Sequence, residues 1–192
     1  GVSIAGPAVR RTRDGGPRGL PIPGGRDFLS DEQATLAMGL YADGCATHFA
    51  SPTRLGDWVQ ARGFDPIDGE GLAYFLNGKD GVGWSASNTA GEFVLTFTSD
   101  RMCTVWARRA DVAAVERQFR MMIRELKART FRVEQETDSP ISLGGLNHVQ
   151  LAYYVQGPSA EKAAVYMMIT AQDDDAPVAA RLTAVEVAVK PQ

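Results

Sequence analysis

The chain has 192 residues, of which 44% are hydrophobic and 22% charged, the composition of a globular protein with one real core. Its formal net charge of -3 argues against a dedicated nucleic-acid binder, since neutralising phosphates requires an excess of clustered lysine and arginine. No run approaches the roughly 20 consecutive apolar residues of a membrane-spanning helix, so we expect a protein that does not span a bilayer.

The first 29 residues differ in composition from the rest. They contain seven glycines, four prolines and five arginines, and they show hardly any periodic apolar pattern. Such a segment cannot bury enough apolar surface to offset the entropy lost on ordering it. We therefore predict a flexible leader at 1–29 and a single domain at 30–192.

Two helices are predicted at the start of this domain. Ser30 and Gln33 match a capping box, and apolar residues then recur at helical spacing as far as Phe49. Ser51 and Pro52 are typical of the N-cap and first position of a second, shorter helix. We expect these helices to form a pair that packs against a sheet.

Seven later runs alternate apolar with polar or small residues and predict strands, near 82–86, 93–97, 102–107, 131–136, 148–155, 163–171 and 182–189. Between the third and fourth of them, an apolar stripe at about 111–128 predicts a long amphipathic helix. The short joins favour antiparallel pairing. The pattern predicts an α+β fold, a two-layer sandwich in which a mainly antiparallel sheet of six to seven strands carries the long helix and the N-terminal helical pair on one face.

Cys45 and Cys103 are the two cysteines, and neither has a second cysteine or a histidine at metal-ligand spacing, so we predict no metal site. In an oxidising compartment they would form one disulfide, whereas in the cytosol they would be two buried thiols. The residues alone leave both states open. A catalytic Cys45–His48 pair would also need an oriented base and an oxyanion site, and no such set stands out. We expect no cofactor and, on balance, no enzyme.

Trp84, Trp106 and Tyr153 are the candidate binding residues. Large aromatic side chains line many ligand pockets, although they pack in cores more often. Trp84 is the strongest candidate for a surface role, because its strand opens the predicted sheet and would lie at an edge.

One stretch of the chain combines Cys45, a short helix ending near Trp58, the strands 83–85 and 91–95, and a strand from Cys103 that leads into the helix at Asp111. This pattern resembles a family of small, uncharacterised exported or lipid-anchored proteins of Gram-negative bacteria, over about residues 30–125. The resemblance implies a periplasmic or exported setting and favours a bond between the two cysteines. It implies no activity.

Two functions follow as hypotheses, and a hydrolase that uses His48 or His148 is a weaker third. The first is a non-enzymatic envelope protein that contacts another envelope protein, as an accessory factor or inhibitor. The alternative is a small-ligand binding module, in which the helix layer and the sheet enclose an apolar pocket touched by Trp84, Trp106 or Tyr153. A cytoplasmic location is also compatible with the residues.

Overall fold

Helices and strands follow one another along the whole described part of the chain, which the computed structural model gives as residues 26–86, 92–159 and 161–192, with side chains from Asp31 onward. The helices are α1 (Arg26–Leu40), α2 (Pro52–Ala61), α3 (Gly69–Leu76) and α4 (Val112–Ala128), and a π-helical segment (Tyr41–Ala46) continues α1. The strands are β1 (Asp65–Ile67), β2 (Gly81–Ser85), β3 (Phe93–Thr98), β4 (Met102–Ala107), β5 (Arg132–Leu143), β6 (Leu146–Gln156), β7 (Ala163–Ala171) and β8 (Ala180–Val187).

The eight strands form one antiparallel sheet in the order β1-β2-β3-β4-β8-β7-β6-β5. The α+β class and the antiparallel sheet are confirmed, and the predicted six to seven strands become eight. The missed strand, β1, has three residues, too few to show an alternating pattern. Strand β5 also continues beyond the predicted 131–136, past an irregularity at Gln135–Thr137.

One face of the sheet carries the main core, and α1, the π-helical segment and α4 pack on it. Phe119 of α4 is fully buried, with its ring centroid 6.3 Å from that of Tyr41 and 6.1 Å from that of Tyr153. Asp111 caps α4, since its Oδ1 accepts a hydrogen bond from the Ala114 amide at 3.0 Å. The long helix predicted at 111–128 is thus confirmed.

The N-terminal region departs from its expected bounds. Helix α1 begins at Arg26, four residues before the predicted cap at Ser30. The second helix begins as predicted, since the Ser51 side chain accepts a hydrogen bond from the Arg54 amide at 3.3 Å. Most of the predicted leader at 1–29 lies outside the described residues, and the division into leader and domain stays a prediction.

The cysteines join the π-helical segment to β4. Cys45 and Cys103 form a disulfide whose Cα atoms are 5.2 Å apart, and both residues are fully buried. The bond that the resemblance favours is therefore present in the structure. It fixes the N-terminal helices to the centre of the sheet.

Helix α3 was not predicted, and it lies on the other face of the sheet. Neighbouring side chains alternate along a strand, so Trp106 points away from the core that Cys103 faces, and the Phe75 ring of α3 lies 5.3 Å from the Trp106 ring. The expected two-layer sandwich is accordingly only approximate. Two glycines of β2 allow this packing, because a Cβ atom would lie 2.8 Å from Leu72 at Gly83 and 3.0 Å from Leu76 at Gly81.

Candidate functional site

A groove of about 400 Å³ lies on the face of the sheet opposite the main core. Helix α3 forms one side of it and the turn between β5 and β6 the other, while its floor is the end of the sheet where β4 finishes and β8 begins. Small-molecule sites in proteins span about 300–1,000 Å³. The groove is therefore large enough for a small organic ligand.

Arg181 of β8 carries the one permanent charge among the described residues that line this groove. Its Nε is buried and has no hydrogen-bond partner in the described part of the chain. Burial lowers the pKa of the guanidinium, and the nearby Tyr74 phenol acts in the opposite sense; an arginine nevertheless stays charged in a protein. The residue as a whole is half-buried. A half-buried cation without a counter-ion is poorly solvated, so this position favours an anion.

The Trp106 ring lies against one side of the Arg181 guanidinium. The Cζ atom of Arg181 lies over the indole ring, 4.9 Å from its centroid, a distance typical of a cation–π contact. The indole in turn donates a hydrogen bond from Nε1 to the Oγ1 of Thr96 at 2.9 Å. These contacts fix the orientation of both side chains before any ligand binds.

His148 supplies a second polar group at the other side of the groove. Its Nδ1 lies 3.0 Å from the carbonyl oxygen of Leu146. Because a carbonyl oxygen only accepts, Nδ1 carries the hydrogen, and Nε2 of the neutral ring is an acceptor. No described residue forms a hydrogen bond with Nε2.

The three predicted binding residues do not come together. Trp106 lines the groove, whereas Tyr153, 5% exposed, lies in the core on the opposite face. Trp84 is half-buried against that same core, and Pro66 of β1 pairs beside it, so β2 is not the edge of the sheet. A binding role for Trp84 or Tyr153 stays a prediction.

Arg181 was missed by sequence reasoning, and His148 was considered only as a residue of a hydrolase. Both occupy alternate positions on strands, facing away from the main core, where polar residues normally meet solvent. No sequence signal shows that α3 covers this end of the face, and the groove depends on that helix. The pairing of β4 with β8, which places Trp106 beside Arg181, is equally invisible in the sequence.

A wider cleft of about 780 Å³ lies at the start of α4, but its charged groups already have partners or stand in solvent. Arg108 pairs with Glu92 at 2.9 Å, and the Asp173 carboxylate accepts a hydrogen bond from the Asn147 amide at 3.0 Å. Arg109 is exposed. This cleft therefore lacks the unsatisfied group that distinguishes the groove.

Catalytic chemistry finds little support around the histidines. The Cys45 sulfur is bonded to Cys103 and cannot act as a nucleophile beside His48. His48 packs near the Trp58 ring, and burial, followed by the charge of Arg54, lowers the pKa of its imidazole. In the described ranges, no group of three or more His, Cys, Asp or Glu side chains is arranged to hold a metal ion.

Comparison of the chain with models of protein families, with curated proteins and with solved structures gives no match in any of the three. Among the described helices, none has the length and apolarity needed to cross a membrane. Evidence for a function therefore has to come from the geometry of the groove.

Proposed function

We propose that this chain is a small-ligand binding domain whose site is the groove between α3 and the β5–β6 turn. The observation that supports the proposal is the Arg181 guanidinium, whose buried Nε lacks a partner in the described part of the chain. An anionic group of a ligand would balance this charge by binding the terminal nitrogens of the guanidinium, which are not among the buried atoms without a partner. The apolar part of the same ligand would lie against Phe75 and Trp106.

Two physical effects favour binding at this position. Hydrogen bonds between a guanidinium and an anion are stronger than those between neutral groups. Arg181 is also already held over the Trp106 ring, so that little side-chain freedom is lost when a ligand arrives. The groove combines a mostly apolar wall with one cation that has no partner. Small-molecule sites likewise place a few polar groups in a mostly apolar lining.

We propose binding rather than turnover because of the side chains that line the groove. None of the described lining residues is Ser, Thr, Cys, Asp or Glu. Nucleophilic catalysis requires a nucleophile within reach of a base, and the one hydroxyl in the described lining, that of Tyr74, is on α3, on the side of the groove away from His148.

An exported, periplasmic setting is proposed together with this function. The fully buried bond between Cys45 and Cys103 supports it, since disulfides persist in oxidising compartments and are rare in the cytosol. The resemblance of residues 30–125 to exported proteins points the same way. Thiol trapping at the moment of lysis of the source cells checks the setting: we expect both cysteines to be oxidised, and trapped free thiols would contradict export.

Contact with another envelope protein, the other function expected from the sequence, stays a prediction. The edge strand β5 carries Glu136, Pro140 and an irregularity at Gln135–Thr137, which are features that oppose pairing with a foreign strand. The large apolar side chains that stand most exposed in the described chain lie in four separate parts of it: Tyr74, Val82, Met121 and Val189. They belong to α3, β2, α4 and the segment after β8.

Native mass spectrometry tests the binding function. The protein is incubated with a small-molecule extract of the source cells, repurified and weighed without denaturation, beside an Arg181→Met variant. The matched control is Arg124→Met, which removes an exposed arginine of α4. We expect a bound small molecule on the wild-type and Arg124→Met proteins and none on Arg181→Met.

Two results would count against the proposal. One is a wild-type protein that retains no small molecule, and the other is an Arg181→Met variant that retains the same mass. An Arg181→Lys variant guards against misfolding, since it keeps the charge but loses the planar fork. We expect it to retain the ligand at reduced occupancy.

A further inference from the structure

The charge of the groove restricts the anion that it can hold. Arg181 is the only permanently charged side chain among its described lining residues, and no carboxylate lines it. A single guanidinium balances a single negative charge, whereas doubly charged phosphate groups are usually held by several cations or by a helix terminus. Carboxylate oxygens match the planar donor pairs of a guanidinium. A monocarboxylate is the anion that fits this lining best.

The wall of the groove favours a flat, unsaturated ligand. The Tyr74 and Phe75 rings of α3 are perpendicular with centroids 5.0 Å apart, and the Phe75 ring meets the Trp106 ring at 5.3 Å. These three rings form a continuous aromatic wall, and 60% of Tyr74 remains exposed. Aromatic side chains gain most from another ring, through offset or edge contacts.

The strand register sets the length of the ligand. Arg181 pairs with Ile169 of β7, and His148 of β6 pairs with Ala171, two residues further along the same strand. With strands about 4.8 Å apart and about 3.4 Å per residue, the Cα atoms of Arg181 and His148 are about 12 Å apart. A ligand that touches both side chains therefore needs polar groups at opposite ends of an extended body.

The tautomer of His148 decides whether the ligand group at that end of the groove must donate or accept a hydrogen bond. Nδ1 donates to the Leu146 carbonyl oxygen, so the free Nε2 of the neutral ring accepts. The matching ligand group is a donor, of which a hydroxyl is the simplest.

We propose that the groove binds a flat aromatic monocarboxylate with a hydroxyl group at the end opposite the carboxylate. The carboxylate lies on the Arg181 guanidinium, the ring lies along the wall of Tyr74, Phe75 and Trp106, and the hydroxyl donates to His148 Nε2. This ligand class rests on the binding function proposed above and narrows it.

The test is a titration of the wild-type protein followed by NMR at the Trp106 indole N–H. That hydrogen is bonded to Thr96 inside the wall of the groove, and its signal is identified by its loss in Trp106→Phe. The probes are 4-hydroxycinnamate, its uncharged amide, and 4-methoxycinnamate, whose ether oxygen cannot donate. We expect the amide to bind at least about tenfold more weakly than 4-hydroxycinnamate, and the methoxy compound about five- to tenfold more weakly.

Arg181→Met should reduce the affinity for 4-hydroxycinnamate to that of the amide, while Arg124→Met should leave it unchanged. If Arg181→Met does not fold, the affinities of the three probes for the wild-type protein still test the proposed ligand class. Equal affinities for the carboxylate and the amide, or for the hydroxy and methoxy compounds, would overturn the ligand class.

The same signal separates this inference from the function on which it rests. A cell extract that shifts the Trp106 indole when no aryl carboxylate does so would overturn the ligand class alone. An indole that responds neither to the extract nor to the probes would overturn both.

Discussion

Among the described arginines that are half-buried, Arg181 is the one without a carboxylate partner. Three arginines elsewhere in the described chain have a carboxylate oxygen within 3.0 Å, in the pairs Arg108–Glu92, Arg120–Glu116 and Arg132–Glu134. These arginines are about one third or more exposed, so water also solvates them. Arg181 has a buried Nε and no such partner in the described chain. This contrast is the reason for placing the proposed anion site at Arg181.

The disulfide is the second residue-scale feature with a measurable effect. It closes a loop with a sequence separation of 58 residues and therefore restricts the unfolded chain strongly. Replacing both cysteines, as Cys45→Ala with Cys103→Ala, should lower the free energy of unfolding by about 4 kcal/mol. Urea unfolding of this variant beside the oxidised wild-type protein measures the change, and an unchanged midpoint would show that the bond contributes little.

The sequence identifies the cysteines at the residue scale, but it does not identify the site. Cys45 and Cys103 stand out because they are the only two cysteines. Arg181 stands between Ala180 and Leu182 as an outward-facing residue of an amphipathic strand, which is the pattern of a solvated arginine. Trp106 and helix α3, which lie beside Arg181, are more than 70 positions earlier in the chain. No local pattern therefore shows that Arg181 is partly buried.

Helix α3 is the element on which the groove depends, and it was the element least visible in the sequence. It has eight residues, with glycines at positions 69 and 71, and glycine lowers helix propensity. In contrast, α4 has 17 residues, an aspartate cap and a continuous apolar stripe. The contrast explains why the long helix was predicted to within one residue at its start, while α3 was missed.

Substitution of the glycines near α3 tests how the helix is held. Gly81→Ala should lower the free energy of unfolding by about 1–3 kcal/mol, because its Cβ would lie 2.5 Å from the Phe97 carbonyl oxygen and 3.0 Å from Leu76. Gly71→Ala is the matched control, since nothing lies within 4 Å of a Cβ there. It should stabilise the protein by about 0.5–1 kcal/mol through helix propensity.

Thermal or urea unfolding measures both variants. Equal stabilities for Gly81→Ala and the wild-type protein would mean that Gly81 does not lie as close to the Phe97 carbonyl oxygen of β3 and to Leu76 of α3 as described.

The segment after β8 is held across the same face of the sheet, at the end away from the groove. The Lys190 amide donates to the Tyr154 hydroxyl at 2.9 Å, and the Lys190 ammonium lies 3.1 Å from the Glu134 carboxylate. The Lys190 hydrogen bond, followed by that of Arg132, holds the pKa of Glu134 below its usual range. These contacts cover the Tyr154 ring, which is 1% exposed.

The contact between Lys190 and Glu134 should depend on pH. A carboxylate with a lowered pKa in the folded protein stabilises the contact above its usual pKa, and that contribution is lost as the pH falls through the lowered value. We therefore expect the Lys190 amide NMR signal to be constant near neutral pH and to move toward its unbound position below about pH 4.

A Glu134→Gln variant should show part of this displacement already at neutral pH, whereas Glu125→Gln, an exposed change on α4, should not. A Lys190 signal that stays in place down to about pH 2 would contradict a role for Glu134 in holding the segment.

The two faces of the sheet differ in what they contribute to the whole molecule. One face buries the main core, to which the disulfide fixes the N-terminal helices. The other carries a single short helix at one end and the C-terminal contact at the other, with the groove beside the helix.

The architecture as a whole was predicted in outline. The α+β class, the antiparallel pairing and the long helix follow from local patterns, because each depends on the spacing of apolar residues within one segment. The joining of β4 to β8 depends on residues about 80 positions apart, which no local pattern reports. That pairing sets Trp106 beside Arg181. The candidate site could therefore not be predicted, although the strands that carry it were predicted.

The NMR signal of the Arg181 Nε–H, identified by its loss in Arg181→Lys, tests the central claim most directly. Its position above the Trp106 ring should place the signal upfield of the other arginines, because the ring shields a hydrogen above its face. Addition of benzoate, a minimal flat carboxylate, should move the signal, because a carboxylate bound to the terminal nitrogens changes the electron density of the whole guanidinium. A signal that lies among those of the exposed arginines, and that no carboxylate moves, would contradict an anion site at Arg181.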